Sequence, residues 1–158
     1  MLDYTQLFDG TLNPTAGAAV TVTRVSTNVI DWLTGRDMGA GAILGVHCDI
    51  LQTFTGAGAT LTVDLEVCDT VGGAYLNILT TPALPVAQLI VGTSIFRYGF
   101  PVNQLLNATA GILKAPGRFC RLNYTVATGP FTAGNVFAYV NPMLDRDTYT
   151  NYPANYTV

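Results

Sequence analysis

The stretch from Gly117 to Val140 reads GRFCRLNYTVATGPFTAGNVFAYV, and it decides the fold class. Apolar and mostly polar residues alternate along its first half, which is the pattern of a strand with one buried face. Gly129, Pro130 and Gly134 mark a turn, and the second half is β-branched and aromatic. The pattern predicts a β-hairpin with Arg121 and Asn123 facing outward. The residues expected in the core are Cys120, Leu122, Tyr124 and Val126.

The composition indicates a single all-β domain that is partly covered by partner subunits. Only 11% of the 158 residues are charged and 49% are hydrophobic, whereas about a quarter of the residues of soluble domains are charged. Threonine occurs 22 times, and Lys114 and Glu66 are the sole lysine and glutamate. A chain rich in threonine and poor in helix formers favours strands.

Several partners and sites are disfavoured by the sequence. A net charge of -3 without a cluster of Lys and Arg argues against nucleic-acid binding. No run approaches the roughly 18 apolar residues of a membrane helix, and the N-terminal residues do not resemble a signal peptide. The cysteines are three in number, so we expect free core thiols rather than a disulfide framework, at Cys48, Cys68 and Cys120.

The chain divides into an N-terminal arm (1–17), a sandwich (18–140) and a tyrosine-bearing C-terminal tail (141–158). A first strand is expected at Ala18–Val25, and a second hairpin from Val46–Phe54 and Thr60–Cys68 joined by the turn GAGA. Asn103 to Leu106 could form one helical turn. Eight or nine strands at intervals of about a dozen residues suggest a sandwich or barrel. Other expected strands or short segments are Ser26–Trp32, Tyr75–Thr81, Gln88–Val91, Ser94–Phe100 and Ile112–Ala115.

The residues that could support catalysis are few. His47 is the sole histidine, and its neighbour Cys48 points to the opposite face of the strand, so a hydrogen-bonded strand histidine is the favoured interpretation. Asp64 and Glu66 lie two apart on one face, about 7 Å from each other, but they also fit the ordinary outward face of a strand. The pattern therefore predicts no enzyme, no cofactor and no metal site. The pair Asp145 and Asp147 lacks the spacing of a calcium loop, and the glycine-rich segment Gly35 to Gly45 is not a phosphate loop.

Several segments together resemble the capsid cement, or decoration, proteins of certain tailed bacteriophages of the short-tailed type. They are STNVID at Ser26–Asp31, GRDMGAG at Gly35–Gly41, ALPVAQL at Ala83–Leu89, LTVDLEVCDT at Leu61–Thr70 and GRFCRLNYTV at Gly117–Val126. The resemblance implies a jelly-roll-like antiparallel β-sandwich without enzymatic residues. It also implies a homodimer or higher homo-oligomer on the capsid exterior of the virion, joining neighbouring major capsid subunits after synthesis in the host bacterial cytoplasm. The tail after Pro142 extends beyond this likeness.

Residue type and expected exposure suggest where such a protein would make its contacts. The expected interface residues are Leu2, Tyr4, Leu7 and Phe8 of the arm, Arg36 and Asp37 of the glycine-rich loop, and Tyr149, Tyr152 and Tyr156 of the tail. The alternative function is a carbohydrate- or receptor-binding β-sandwich, such as a lectin-like or fibre-tip domain. That alternative needs an exposed aromatic platform or a calcium site.

Overall fold

The computed structural model describes residues 6–12, 15–31, 44–70, 72–100, 105–107, 112–114 and 118–142. Its regular elements are antiparallel strands and a 3-10 helix at Val86–Gln88. The strands are β1 (Leu7–Asp9), β2 (Thr11–Leu12), β3 (Thr15–Ala16), β4 (Ala18–Ala19), β5 (Arg24–Val25), β6 (Ile30–Asp31), β7 (Leu44–Thr55), β8 (Thr60–Cys68), β9 (Leu76–Thr80), β10 (Leu84–Pro85), β11 (Ser94–Phe100), β12 (Leu105–Asn107), β13 (Ile112–Lys114), β14 (Phe119–Ala127) and β15 (Ala133–Pro142).

Most of the strands form two sheets that face each other across one core, while β2 with β3 and β12 with β13 form two small two-stranded sheets. The first sheet has the order β1-β15-β7-β11, with β4 also pairing β15, and the second has the order β10-β8-β14-β5, with β6 beside β14 and β9 beside β8. Along the chain, the strands of these two sheets occupy eight successive positions. They are β1 and β4 (one), β5 and β6 (two), β7 (three), β8 (four), β9 and β10 (five), β11 (six), β14 (seven) and β15 (eight). Positions one, eight, three and six make the first sheet, and positions two, seven, four and five make the second. This is the connectivity of a jelly roll, so the predicted fold class is confirmed.

Both predicted hairpins are wrong, because each pair of consecutive strands is divided between the sheets. β14 pairs with β8 in the second sheet, whereas β15 pairs with β7 in the first. The connections after Thr55 and after Ala127 therefore cross from one sheet to the other. The apolar faces of β7 and β8 therefore pack against each other across the core, as do those of β14 and β15. The hydrogen bonds instead join β7 to β15 and β8 to β14.

The two crossing connections pack side by side at one end of the sandwich. The amide of Thr132 donates to the carbonyl of Thr55 at 2.7 Å, and the Oγ1 atoms of these residues are also 2.7 Å apart. Phe54 and Phe131 meet edge to face with ring centroids 4.9 Å apart. Gly134 has a φ of 147° and lies against the ring of Phe54, where a Cβ atom would come within 2.3 Å of Cδ1. A side chain at Gly134 would therefore break this corner.

The alternation predicted for the longer strands is found, with local exceptions. The core residues expected in Gly117–Val140 face the other sheet, and Val46, Cys48, Ile50 and Phe54 of β7 are buried as predicted. Gln52 has the same parity as these buried residues but is exposed, because the register of β7 against β15 shifts on either side of it. The cluster between the sheets contains Phe8, Val20, Ile30, Val46, Cys48, Ile50, Phe54, Ala59, Leu61, Val63, Leu65, Val67, Leu89, Cys120, Leu122, Tyr124, Phe131, Val136, Ala138 and Val140.

The three cysteines are free and buried, as predicted. Cys48 and Cys120 belong to the core cluster. Cys68 instead lies on the opposite face of β8 from Leu61 and its inward neighbours, and its thiol donates to the carbonyl of Thr70 at 3.2 Å. Burial raises the pKa of the Cys48 and Cys120 thiols well above the ordinary range, so both stay protonated at neutral pH.

The N-terminal segment departs most from the predicted organisation. The arm expected over residues 1–17 contains strand β1, which pairs with β15 through Leu7 and Tyr139. The strand expected at Ala18–Val25 breaks into β4 of the first sheet and β5 of the second, and the chain crosses between the sheets over residues 20–23. The helical turn expected at Asn103–Leu106 is wrong at Leu105 and Leu106, which belong to β12.

Candidate binding surface

A fully buried carboxylate holds the N-terminal strand in the sandwich. Oδ1 of Asp9 accepts hydrogen bonds from the amide of Thr27 at 3.0 Å, from its hydroxyl at 2.7 Å and from Nη1 of Arg24 at 3.0 Å. Oδ2 accepts a hydrogen bond from the hydroxyl of Tyr124 at 2.7 Å. A buried charge is costly unless it is paired and hydrogen-bonded, and these four donors meet that requirement.

The partners of Asp9 are themselves held in place. Arg24 donates from Nε to the carbonyl of Ala19 and from Nη1 to its neighbour Val25, both at 2.9 Å, and its guanidinium lies 4.9 Å from the centre of the Tyr124 ring. Burial, together with the neighbouring carboxylate of Asp9, raises the pKa of Tyr124 well above its usual range. Tyr124 therefore remains a neutral phenol that donates to Asp9. The group is an internal network that ties the two sheets together, and within the described residues it leaves Nη2 of Arg24 buried without a hydrogen-bond partner.

This network corrects the predicted interface. Leu7 and Phe8 were expected in an exposed arm, but both are buried, and Phe8 belongs to the core cluster. The physical reason is that β1 joins the first sheet beside β15, which places Phe8 in the core and covers Leu7 as well. The other expected contact residues, Leu2, Tyr4, Arg36, Asp37, Tyr149, Tyr152 and Tyr156, lie outside the described residues.

The outer face of the first sheet carries aromatic side chains. The rings of His47 and Tyr139 stack with centroids 5.0 Å apart and an interplanar angle of 8°, and Phe137 lies 5.1 Å from Tyr139. The hydroxyl of Tyr139 donates to Oδ2 of Asp49 at 3.2 Å, and Ser94 makes a short hydrogen bond to Oδ1. His47 and Tyr139 are half-buried and Phe137 is buried. His47 therefore stacks on its neighbouring strand, while adjacent Cys48 faces the core.

The outer face of the second sheet carries paired charges. Glu66 accepts a hydrogen bond from Nε of Arg121 at 2.6 Å, and the guanidinium of Arg121 lies 3.7 Å from the centre of the Tyr75 ring. Asp64 accepts a hydrogen bond from the side-chain amide of Asn123 at 3.3 Å. Asp64 and Glu66 were expected to face outward in water, but both are buried. Each carboxylate has a cross-strand partner, which accounts for the pair without catalysis.

A further ion pair ties the end of β6 to the beginning of β14. Arg118 donates from Nε and Nη2 to the two carboxylate oxygens of Asp31 at 2.9 Å and 2.8 Å. The pKa of Arg118 is raised, chiefly by this hydrogen bonding to Asp31. The described second sheet thus presents matched charges at this end.

Among the described residues, large apolar side chains are exposed in two groups of three and at Leu76 of β9. Val22, Val25 and Val29 lie along the edge of the second sheet, and Leu51, Ile90 and Val91 lie where the loop before β11 runs beside β7. That loop follows β7 closely, because the amide of Val91 donates to Oγ1 of Thr53 at 3.0 Å and the amide of Gly92 to the carbonyl of Ile50 at 2.9 Å. Exposed apolar groups of this kind are typical of contact surfaces.

The sequence did not predict that Val22 and Val25 are exposed, because both fall in a segment that resembles one continuous strand. The break at residues 20–23 decides which of them are exposed, and the sequence offers one signal for it: Arg24 interrupts an otherwise uncharged run. A lone arginine there indicates that its carboxylate partner lies nearby in space.

No group of three or more His, Cys, Asp or Glu that could hold a metal ion occurs among the described residues. In the same part of the chain, no helix has the length and apolar character needed to cross a membrane.

Comparison with known proteins places most of this sandwich in one family. The family model described as Bbp16 matches residues 15–140, which span β3 through Val140 of β15. No curated protein matches the chain. The family match therefore covers both sheets but begins after β1, the strand that supplies Asp9.

Proposed function

The chain belongs to the Bbp16 family, a bacteriophage-associated family, and on that premise we propose that it is a virion structural protein of the capsid cement type. In this role it binds the outer surface of the assembled head and stabilises contacts between major capsid subunits. It acts as a homodimer or higher homo-oligomer and carries out no catalysis. The observation that carries the proposal is the family match over residues 15–140, since it spans both sheets of the jelly roll except β1, rather than a single motif.

The chemistry of the described residues supports a binding protein. The carboxylate of Asp9 is hydrogen-bonded to internal partners, and the carboxylates of Glu66 and Asp31 are paired with arginines. The exposed apolar side chains lie on edges and loops, where another protein can reach them. Such a surface suits a protein that works through contact area.

Cement activity follows from binding linkage. A protein that binds the assembled shell and not its separated subunits lowers the free energy of the shell, and it shifts the equilibrium toward the intact particle. Many weak contacts repeated over a lattice add up to strong retention through multivalency. The proposal therefore requires no strong single site.

The experiment is a binding assay with shells of the cognate phage that lack this protein. The purified chain should sediment with intact shells and not with dissociated capsid subunits, and it should raise the melting temperature of the shells. A Leu122→Asp variant provides the unfolded control, because Leu122 is fully buried in the core. If the folded chain neither sediments with shells nor changes their melting temperature, the proposal is wrong.

One observation favours the carbohydrate-binding alternative. The stacked rings of His47 and Tyr139 lie beside Asp49 on the outer face of the first sheet, and sugar-binding sites combine aromatic faces with carboxylates. Against it, Phe137 is buried and Asp49 already accepts a hydrogen bond from Tyr139. A glycan array probed with the wild type and with Tyr139→Ala decides the matter. Binding that is lost in the variant supports this alternative, and the absence of any signal from the wild type rejects it.

A further inference from the structure

We propose that the valine edge of the second sheet is the surface through which two copies of this chain pair. We define the valine edge as the exposed residues from Ala19 to Val29 together with the exposed end of β14 and the loop after it. This inference rests on the proposed function in one respect, namely that the protein acts as a homo-oligomer. It adds the location of the contact and its symmetry.

Hydrogen bonds make the valine edge one continuous surface. The amide of Val126 donates to Oγ1 of Thr23 at 2.9 Å, and that hydroxyl lies 3.3 Å from the carbonyl oxygen of Val126. The amide of Phe131 donates to the carbonyl of Thr21 at 2.9 Å. The crossing segment and the loop after β14 are thereby held together.

Three large apolar side chains are exposed on this edge. Val22 is 57% exposed, Val25 42% and Val29 45%, and all three lie within eight residues. Valine has no polar group to satisfy in water, so leaving three such side chains exposed forgoes the free energy of their burial. A partner surface that covers the edge would recover it.

The charges of this segment are turned inward, which determines what kind of partner fits. Arg24 is its sole charged residue between Ala18 and Ile30, and it donates to the buried Asp9 rather than to solvent. At the far end Asp31 is neutralised by Arg118. The other exposed residues of the edge are uncharged: Ala19, Thr23, Thr27, Asn28, Thr125, Ala127, Thr128, Gly129 and Pro130.

An uncharged patch is suited to meet its own copy. In a two-fold interface the same patch is present on both sides, so any net charge near the axis faces a like charge. The valine edge brings no such repulsion. The opposite edge of the sandwich would do so, because β11 carries the exposed Arg97 at its centre.

The test measures the mass of the full chain in solution by analytical ultracentrifugation over a range of concentrations. The wild type should be a dimer. Val22→Asp should weaken dimerisation by at least about tenfold, because the two aspartates would meet near the two-fold axis. Val91→Asp is the matched control, since Val91 is 54% exposed and lies at the other apolar site; it should dimerise as the wild type does. Circular dichroism and thermal melting of each monomer check that the exposed substitutions leave the fold intact.

The outcomes separate this inference from the cement function. A monomeric wild type overturns it, as does a Val22→Asp variant that dimerises normally or a Val91→Asp variant that dissociates equally. If Val22→Asp stays dimeric but no longer binds shells, the edge contacts the capsid and the pairing inference is wrong. If the wild type forms a dimer that Val22→Asp disrupts, but does not bind shells, the pairing surface stands and the cement function fails.

Discussion

The hydroxyl of Tyr124 donates a 2.7 Å hydrogen bond to the fully buried carboxylate of Asp9, and this contact joins β14 of the second sheet to β1 of the first. It links residues 115 positions apart in the chain. The N-terminal strand is therefore locked to the sandwich by a polar contact at the centre of an apolar core.

Replacing Tyr124 with Phe should lower the free energy of unfolding by about 1–3 kcal/mol, because Oδ2 of Asp9 would lose a donor while remaining buried. Urea denaturation measures the change. Tyr139→Phe is the control, since Tyr139 donates to the half-buried Asp49 at the longer distance of 3.2 Å. A loss in Tyr124→Phe no larger than in the control would show that the buried hydrogen bond is not important.

The substitution Asp9→Asn should be more severe, with a loss of about 3–5 kcal/mol, because it removes the charge that compensates the largely buried Arg24. The same denaturation assay measures it. Arg118→Ala, which breaks an exposed pair with Asp31, should cost less than about 1 kcal/mol. Equal losses in the two variants would contradict the view that the Asp9 network is a lock.

Alkaline pH should destabilise the fold. The pKa of the Cys120 thiol is about 9.0 in the unfolded chain and is raised by burial in the folded protein. Above about pH 9 the unfolded state releases this proton and the folded state keeps it, so the free energy of unfolding falls by about 1.4 kcal/mol per pH unit for each such thiol. Cys48 behaves in the same way.

The measurement is the free energy of unfolding, determined by urea denaturation at several pH values between about 9 and 11. The free energy of unfolding should fall less steeply with pH in Cys120→Ala, by the contribution of one thiol, whatever the effect of the substitution on stability at neutral pH. An unchanged slope would mean that Cys120 titrates alike in both states.

A methyl group at Gly134 should disrupt the corner where the two crossing connections meet. Gly134→Ala would push Cβ into the ring of Phe54 and would hold a side chain at a φ of 147°, with an expected loss of about 2–4 kcal/mol in thermal or urea unfolding. Gly129→Ala isolates the backbone contribution, because φ there is 111° and no atom lies within 4 Å of the added Cβ. If both variants lose the same stability, the contact with Phe54 does not matter.

The two faces of β14 should respond differently to substitution. Leu122→Asp should abolish folding, since it places an unpaired charge in the core. Arg121→Ala should leave a folded protein that is less stable by about 1–2 kcal/mol, because it removes the pair with Glu66 and the stacking on Tyr75. Circular dichroism distinguishes the two results. Unfolding of Arg121→Ala would show that the assignment of the faces is reversed.

The sequence predicted the faces of the long strands better than their neighbours. Thr60–Cys68 and Ser94–Phe100 have the expected bounds, because period-2 alternation and flanking glycine or proline are local signals. The same alternation fits a hairpin and a pair of strands in facing sheets, since both bury one side of each strand. The pairing of β14 with β8 depends on residues more than 50 positions away, and a turn sequence does not contain that information.

The candidate surface was harder to predict, for a similar reason. Leu7 and Phe8 belong to a strand of three residues, which is too short to show a period, and their burial depends on β15 at the other end of the chain. Asp9 looks like an exposed loop residue until Arg24, Thr27 and Tyr124 surround it. The other expected contact residues all lie outside the described part of the chain, so that part of the prediction remains a prediction.

The pairing of β1 with β15 has a consequence for how the protein forms. Leu7 pairs with Tyr139, so the first sheet cannot be completed until synthesis has passed Tyr139. Both central ladders, β7 with β15 and β8 with β14, also join distant segments. Folds dominated by such non-local contacts have high contact order and fold slowly, in milliseconds to seconds. The sandwich should therefore form late, once β14 and β15 are both available, and a surface shared by β5 and β14 becomes available to a partner only after that step.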